Sequence, residues 1–321
     1  MNARRRELGV NLDSISRRQL LARARDIALL SAASVVMPRE SRSDPLGLPV
    51  GIQLWSVQKP LLLDPAGTLA RLRKIGYRVV ETAGFGSRSV KEFRVLLDHA
   101  GLQCPSAHLD FTNGAPEALF ADAHILGARF VVSSLLRHGT GPAPEMPAGL
   151  KQYQDYARDM TLDDAQRTAE IANRLGEKAR QAGLRYAYHN HFIEFADQGG
   201  DKVAYDVLLQ ETDPTLVEFE LDCGWMIAAG HSPIEYFRRY PKRFPMLHIK
   251  DFLSDSNSVG DRSPALRAGT ELGRGQIDYR PILAAARANL RYYFTEQEGP
   301  FDRVDELQAA KINYQYLHSI R

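Results

Sequence analysis

The chain has 321 residues, 44% hydrophobic and 25% charged. That is ordinary for a soluble globular enzyme and enough for one barrel of about 250 residues with extensions. The net charge of +2 is unevenly placed: residues 1–26 carry seven Arg against Glu7, Asp13 and Asp26, which leaves the rest slightly acidic and argues against a nucleic-acid-binding body. The two cysteines, Cys104 and Cys223, make neither a disulfide framework nor a zinc-finger spacing; a buried structural thiol is the reading for Cys223.

The N-terminus reads as an export signal. Ser16-Arg17-Arg18-Gln19-Leu20-Leu21 resembles a twin-arginine motif, and Ile27 to Met37 is a short, mildly apolar run. That run is too short for a bilayer, which needs about 20 apolar residues. Residues 1–45 are therefore expected to be signal and linker, and residues 46–321 the folded body, with an exported location and no membrane contact after processing. A cytoplasmic location is the alternative.

From Leu48 onward, short apolar runs alternate with segments of helical period. VGIQLWSV (50–57) reads as the first strand, residues 65–75 as a helix stopped by Gly76, and YRVVETAG (77–84) as the second strand. A helix over 89–100 with Gly101 as its C′ residue, a strand QCPSAHLDF (103–111), a helix over 116–126 ended by Gly127, and a strand ARFVVSS (128–134) follow. The Gly- and Pro-rich stretch from Leu135 to about Met160 has the length of a lid over a site. Thr161 is the expected cap of a helix over 162–182. LRYAYHNH (184–191), LVEFELDCGW (216–225), RFPMLHIKDF (243–252) and RYYFTEQEG (291–299) read as the remaining strands, with helices near 202–210, 233–240, 279–288 and 303–318. Eight strands alternating with helices predict a (β/α)8 TIM barrel, whose active site lies at the C-terminal strand ends.

Polar residues cluster at those ends. Asp222, His248 and Glu296 each close an apolar run, and together they offer oxygen and nitrogen donors for a divalent metal. A lone acid or His there is usually solvated or locally bonded; three in one ring need a common partner. His189 and His191 share one parity and are candidates for ligation or for general acid–base catalysis. Glu194, just past that strand, is the candidate fourth metal ligand, with the two histidines as alternatives. Lys250 shares the face of His248 and is placed to neutralise an oxyanion or hold a hydroxyl. Glu81 and His108 are candidates for binding sugar hydroxyls, and Trp55 and Trp225 for stacking on a sugar face. Asp110 and Asp251 have the opposite parity and are expected to make loop bonds. No P-loop, G-x-G-x-x-G or G-x-S-x-G element is present, so neither a nucleotide cofactor nor a serine nucleophile is expected.

GIQLWSV, VVETAGF, YHNHFIEF, ELDCGWMIAAG, RFPMLHIKD and YYFTEQE resemble the xylose isomerase-like barrels, in the branch of sugar phosphate isomerases/epimerases, over about residues 48–320. The resemblance implies Mn, Mg, Co or Zn held by four side chains, three falling on Asp222, His248 and Glu296. The fourth departs from the pattern: the usual Glu position is Ala187. The implied activity is isomerisation or epimerisation of a keto-sugar by proton abstraction through a metal-stabilised enediolate, with His189 or His191 as base. The alternative is a lyase or dehydratase acting on 3-keto-glycosides or inosose-like polyols. Non-catalytic sugar binding and an apurinic-site endonuclease are the remaining classes; the slightly acidic body argues against the last. The expected partner is a small carbohydrate, with a homo-oligomer suggested only by analogy to relatives.

Overall fold

The computed structural model describes Asp44 and residues 46–111, 115–134, 136, 159–253 and 269–320. The twin-arginine-like segment, residues 137–158 of the expected lid, and residues 254–268 lie outside them. In chain order the elements are β1 (Gly51–Gln53), α1 (Gln58–Leu63), α2 (Pro65–Ile75), β2 (Val79–Ala83), α3 (Val90–Ala100), β3 (Gln103–His108), α4 (Pro116–Leu126), β4 (Phe130–Ser133), α5 (Leu162–Gln181) and β5 (Arg185–His189). There follow α6 (Ala204–Glu211), β6 (Val217–Asp222), α7 (Cys223–Ala228), α8 (Pro233–Arg239), β7 (Met246–Ile249), β8 (Asp251–Phe252), β9 (Gly269–Thr270), α9 (Tyr279–Ala286), β10 (Tyr292–Thr295) and α10 (Glu306–Ser319). Strands β1 to β7 and β10 pair in parallel and close into a barrel through the β1–β10 contact, while β8 and β9 form a separate antiparallel pair. No helix among the described residues is long and apolar enough to cross a membrane.

Local chemistry sets the boundaries. Ser89 with Glu92 and Thr161 with Asp164 form reciprocal capping boxes at the starts of α3 and α5. Gly101 ends α3 in the left-handed region, φ 68°, where a side chain would be strained. Two expected strands are shorter than the sequence pattern suggested, each for a capping reason. The Gln53 side chain accepts from Trp55 N and turns Leu54–Val57 into a 3-10 helix. Asp222 Oδ1 accepts from Trp225 N at 2.8 Å and starts α7, so Trp225 and the buried Cys223 lie on a helix and not on the sixth strand. Asp251 behaves as its parity predicts: its carboxylate accepts from the backbone N–H groups of Phe252, Gly273, Gly275 and Ile277.

Alternation along the strands builds two layers inside the barrel. Val79, Phe130, Val132, Ala187, Met246 and Phe294 form a buried apolar plug. Two residues further along four of these strands stand Glu81, His189, His248 and Glu296, on the same face and one level nearer the mouth. A register shift between β2 and β3 pairs Glu81 with Ser106, skipping a residue beside Pro105, and brings the Ser106 hydroxyl onto the Glu81 carboxylate. The larger core lies outside the barrel wall, where strands meet helices. There Gly176 of α5 lies so close to β6 that a Cβ would stand 2.5 Å from the Leu216 carbonyl oxygen. Gly176→Ala is expected to cost about 1–3 kcal/mol through overpacking, read as a lower urea midpoint at unchanged m-value.

Candidate active site

At the C-terminal ends of β2, β3, β5, β6, β7 and β10, the interior residues form one buried network. His248 is its hub. Its Nδ1 lies 3.0 Å from Glu296 Oε2, and its Nε2 lies 2.8 Å from Glu81 Oε1 and 3.1 Å from Glu220 Oε2. His189 spans the same two levels, with Nδ1 3.3 Å from Glu220 Oε2 and Nε2 3.8 Å from Asp222 Oδ2. His108 Nε2 is 3.1 Å from Glu220 Oε2. Lys250 Nζ stands 2.9 Å from Asp222 Oδ2, 2.7 Å from Glu296 Oε2 and 2.6 Å from Glu298 Oε1.

Among the described residues, two sets of four donor atoms, each within 4.8 Å of one another, could hold a metal ion: His108, His189, Glu220 and His248 below, and His189, Asp222, His248 and Glu296 above. They share both imidazoles, so each ring turns one nitrogen to each level. Metal-binding histidines generally give their other ring nitrogen to a carboxylate. Carboxylates stand in that part at the lower level, Glu81 bonded to His248 Nε2 at 2.8 Å and Glu220 in contact with both rings at 3.1 and 3.3 Å, which makes the upper set the better metal site. Asp222 Oδ2 supports this choice: it is buried and, despite the charge contact with Lys250, accepts no aligned hydrogen bond. Two carboxylate oxygens and two imidazole nitrogens suit a borderline divalent cation.

Burial works against charge on each of these groups, and the neighbours decide the result. The charge of His248, with hydrogen bonds from the imidazoles, holds Glu220 well below the usual carboxylate range. Lys250 and His248 do the same for Glu296. Burial prevails at Asp222, lifted to about 6 against Lys250 with Glu296 adding repulsion, and at Glu81, where Glu220 adds to the rise. His248 is driven well above its ordinary value by Glu220 and Glu296. His189 is pushed down to about 3 by burial and by the charge on His248, and His191 falls well below its ordinary value through burial and His189. Both are therefore neutral imidazoles at pH 7.

Asp222, His248, Glu296, His189 and Lys250 thus come together, and the His191 ring lies 4.9 Å from that of His189. The other expected residues are placed differently. Glu194 is not part of either donor set: its carboxylate accepts from Tyr188 OH at 2.8 Å and His191 N at 2.9 Å, and His189 fills the fourth place. Glu81 is fully buried and committed to Gln53, Ser106 and His248, so it is a buttress and not a binder of sugar hydroxyls. His108 braces Glu220. Trp225 lies over Lys250, its ring centroid 4.9 Å from Nζ, and bonds Glu298 through Nε1 at 3.2 Å. Trp55 is 40% exposed and lines a separate cavity with Leu62, Phe85 and Arg88. Glu220 and Glu298 were missed. The signal for Glu220 was present, since it has the parity of Asp222 on an otherwise apolar strand.

Glu194 carries a pH signature. Burial lifts it from an ordinary 4.5 to about 7, against its hydrogen bonds. A raised acid contributes stability that is full below about 4.5 and lost as pH climbs through about 7. Glu194→Gln should therefore lose less stability than the wild type between pH 4.5 and 8, as measured by denaturant unfolding across that range.

A closed parallel barrel with a carboxylate–imidazole cluster at its strand ends defines the class: a (β/α)8 protein with a candidate metal centre. A family model described as xylose isomerase-like TIM barrel matches residues 69–293, and the chain belongs to that family. An inosose dehydratase of Lacticaseibacillus casei is 27% identical over 226 residues, which cover 65% of this chain and 73% of that protein. The crystal structure of a sugar phosphate isomerase/epimerase from Parabacteroides distasonis matches with a TM-score of 0.63 and 26% identity, over 85% of this chain and 96% of that one. A xylose isomerase-like TIM barrel protein from Mycobacterium smegmatis in complex with magnesium shares the fold at a TM-score of 0.55 and 18% identity, over 85% and 96% of the two chains.

Proposed function

We propose that the protein is an exported, divalent-metal-dependent enzyme that takes a proton from the carbon beside a carbonyl of a keto-sugar or cyclitol ketone and then expels a β-oxygen substituent. The observation that carries this reading is the upper donor set, His189, Asp222, His248 and Glu296, with the neutral His191 beside it. A metal held by that set would polarise a substrate carbonyl and acidify the neighbouring C–H. His191 takes the proton on an imidazole nitrogen, and the charge of Glu296 favours the imidazolium that results. Lys250 donates a hydrogen bond to oxygen that gains negative charge. The C–H electron pair becomes the new double bond, the β C–O bond breaks with its electrons on oxygen, and that oxygen recovers the proton from His191 as it leaves. Elimination is favoured over return of the proton to carbon because the Lacticaseibacillus casei relative is a dehydratase by name. Isomerisation or epimerisation is the second reading, supported by the likeness to the Parabacteroides distasonis protein; it shares the first step.

The test is proton exchange. Metal-loaded protein in D2O with inososes, 3-keto-glycosides and ketoses, followed by NMR, should incorporate deuterium next to the carbonyl and release the β-substituent. Exchange without release would favour the isomerase reading. Exchange or release that survives unchanged in His191→Ala would remove His191 as the base, and neither exchange nor release with any of these substrates would sink the proposal.

A further inference from the structure

We propose that Lys250 is a resident counter-cation of the metal centre: its ammonium occupies the Asp222 and Glu296 carboxylates until a divalent ion displaces it onto Glu298 beneath the Trp225 ring. This rests on the reading of His189, Asp222, His248 and Glu296 as metal donors. The oxygens that face the imidazoles are the ones Lys250 holds. Glu296 Oε2 is 3.0 Å from His248 Nδ1 and 2.7 Å from Nζ; Asp222 Oδ2 is 3.8 Å from His189 Nε2 and 2.9 Å from Nζ. An ammonium and a divalent cation repel one another and cannot share that pair of oxygens. The contact with Asp222, at 2.9 Å, is the longest of the three that Nζ makes, against 2.7 Å to Glu296 and 2.6 Å to Glu298, so it is the weakest one to break.

A second berth is already built. Glu298 Oε1 lies 2.6 Å from Nζ, the Trp225 ring centroid lies 4.9 Å from it, and the indole Nε1 anchors the same Glu298 oxygen at 3.2 Å. One carboxylate and an aromatic face keep a displaced ammonium paired where an unpaired one would be costly. The rest of the residue is pinned. Tyr279 OH lies 3.1 Å from Lys250 N and donates to Lys250 O at 2.7 Å, and a Cβ on Gly224 would stand 2.3 Å from Lys250 Cγ. The stem is wedged against α7, and movement is left to the end of the side chain. Lys250 thereby keeps the metal-free protein from burying Asp222 uncompensated and shares Glu296 with His248, and metal loading sets where the ammonium stands when substrate arrives.

Calorimetric titration of Mn2+ into wild type, Lys250→Met and Glu298→Gln at one pH tests this, together with a crystal structure of the Mn2+-loaded wild type. Partners around metal ligands typically shift affinity about 10–100-fold; Lys250→Met should bind Mn2+ at least about tenfold more tightly, and Glu298→Gln more weakly than wild type. In the loaded structure Nζ should have left Asp222 and kept Glu298. Equal affinity in wild type and Lys250→Met, or a loaded structure with Nζ still on both Asp222 and Glu296, overturns the displacement and leaves the metal reading intact. No Mn2+ binding in wild type or Lys250→Met overturns both. Should Lys250→Met fail to fold, the Glu298→Gln titration and the loaded structure decide.

Discussion

Asp222→Asn is expected to lower divalent-metal affinity by more than the about 100-fold that bounds the effect of outer partners, and to abolish substrate-dependent proton exchange with it. Asn keeps the oxygen that accepts from Trp225 N at the start of α7, so the strand-to-helix junction survives. What is lost is the charge on Oδ2, the oxygen turned toward His189 and Lys250. The stability consequence has the opposite sign. Burial raises Asp222 to about 6, so ionising it at neutral pH costs the metal-free fold stability that a neutral amide does not cost. In chelator, Asp222→Asn should melt at or above the wild-type temperature; in excess metal the wild type should melt higher, because only it gains the binding free energy. Equal metal-induced shifts in the two proteins would remove Asp222 from the ligand set.

Glu220→Ala has the second large expected effect, and it falls on stability first. This carboxylate lies between three imidazoles, 3.1 Å from His108 and His248 and 3.3 Å from His189, with no exposure to solvent. Removing one partner from a buried charged network leaves the others uncompensated, at about 3–5 kcal/mol. Losing the group that orients both metal-facing histidines should also weaken metal binding by about 10–100-fold. Glu220→Gln should do less on both counts, since an amide oxygen still accepts one hydrogen bond. Denaturant unfolding and metal titration of the two variants check this. An alanine variant that loses stability but binds metal as tightly as wild type would show that Glu220 only compensates charge and does not orient the rings.

Much of this architecture follows from local rules that act within a few residues. Apolar runs broken by Gly76, Gly101 and Gly127 mark out strands and helices, and α2 and α4 begin and end where composition alone places them, over 65–75 and 116–126. The two-residue period of a strand determines that His248 and Lys250 share a face and that Asp251 does not. An eight-stranded barrel was legible from the same pattern, and so was the grouping of Asp222, His248 and Glu296 at one mouth; the xylose isomerase-like family was legible only as a resemblance of motifs such as ELDCGWMIAAG and RFPMLHIKD.

Closure of the barrel decided the rest, because it sets which side chains from distant strands stand at one level. Glu194 has the right chemistry for a ligand, but the chain turns it onto Tyr188 and the His191 backbone, while His189 stands above Ala187 in the ring. Glu81 reads from its strand as a group facing the mouth and able to bind sugar hydroxyls; a register shift beside Pro105 sets it against Ser106, and His248 takes its other oxygen. Capping bonds two or three residues long moved Trp55 and Trp225 off their strands. The division of labour between Glu220 and Asp222, residues of equal parity on one strand, depends on two rises of about 3.3 Å each, about 6.6 Å in all, meeting imidazoles from β5 and β7. No spacing in the sequence records that meeting, since it exists only when β5, β6 and β7 are side by side.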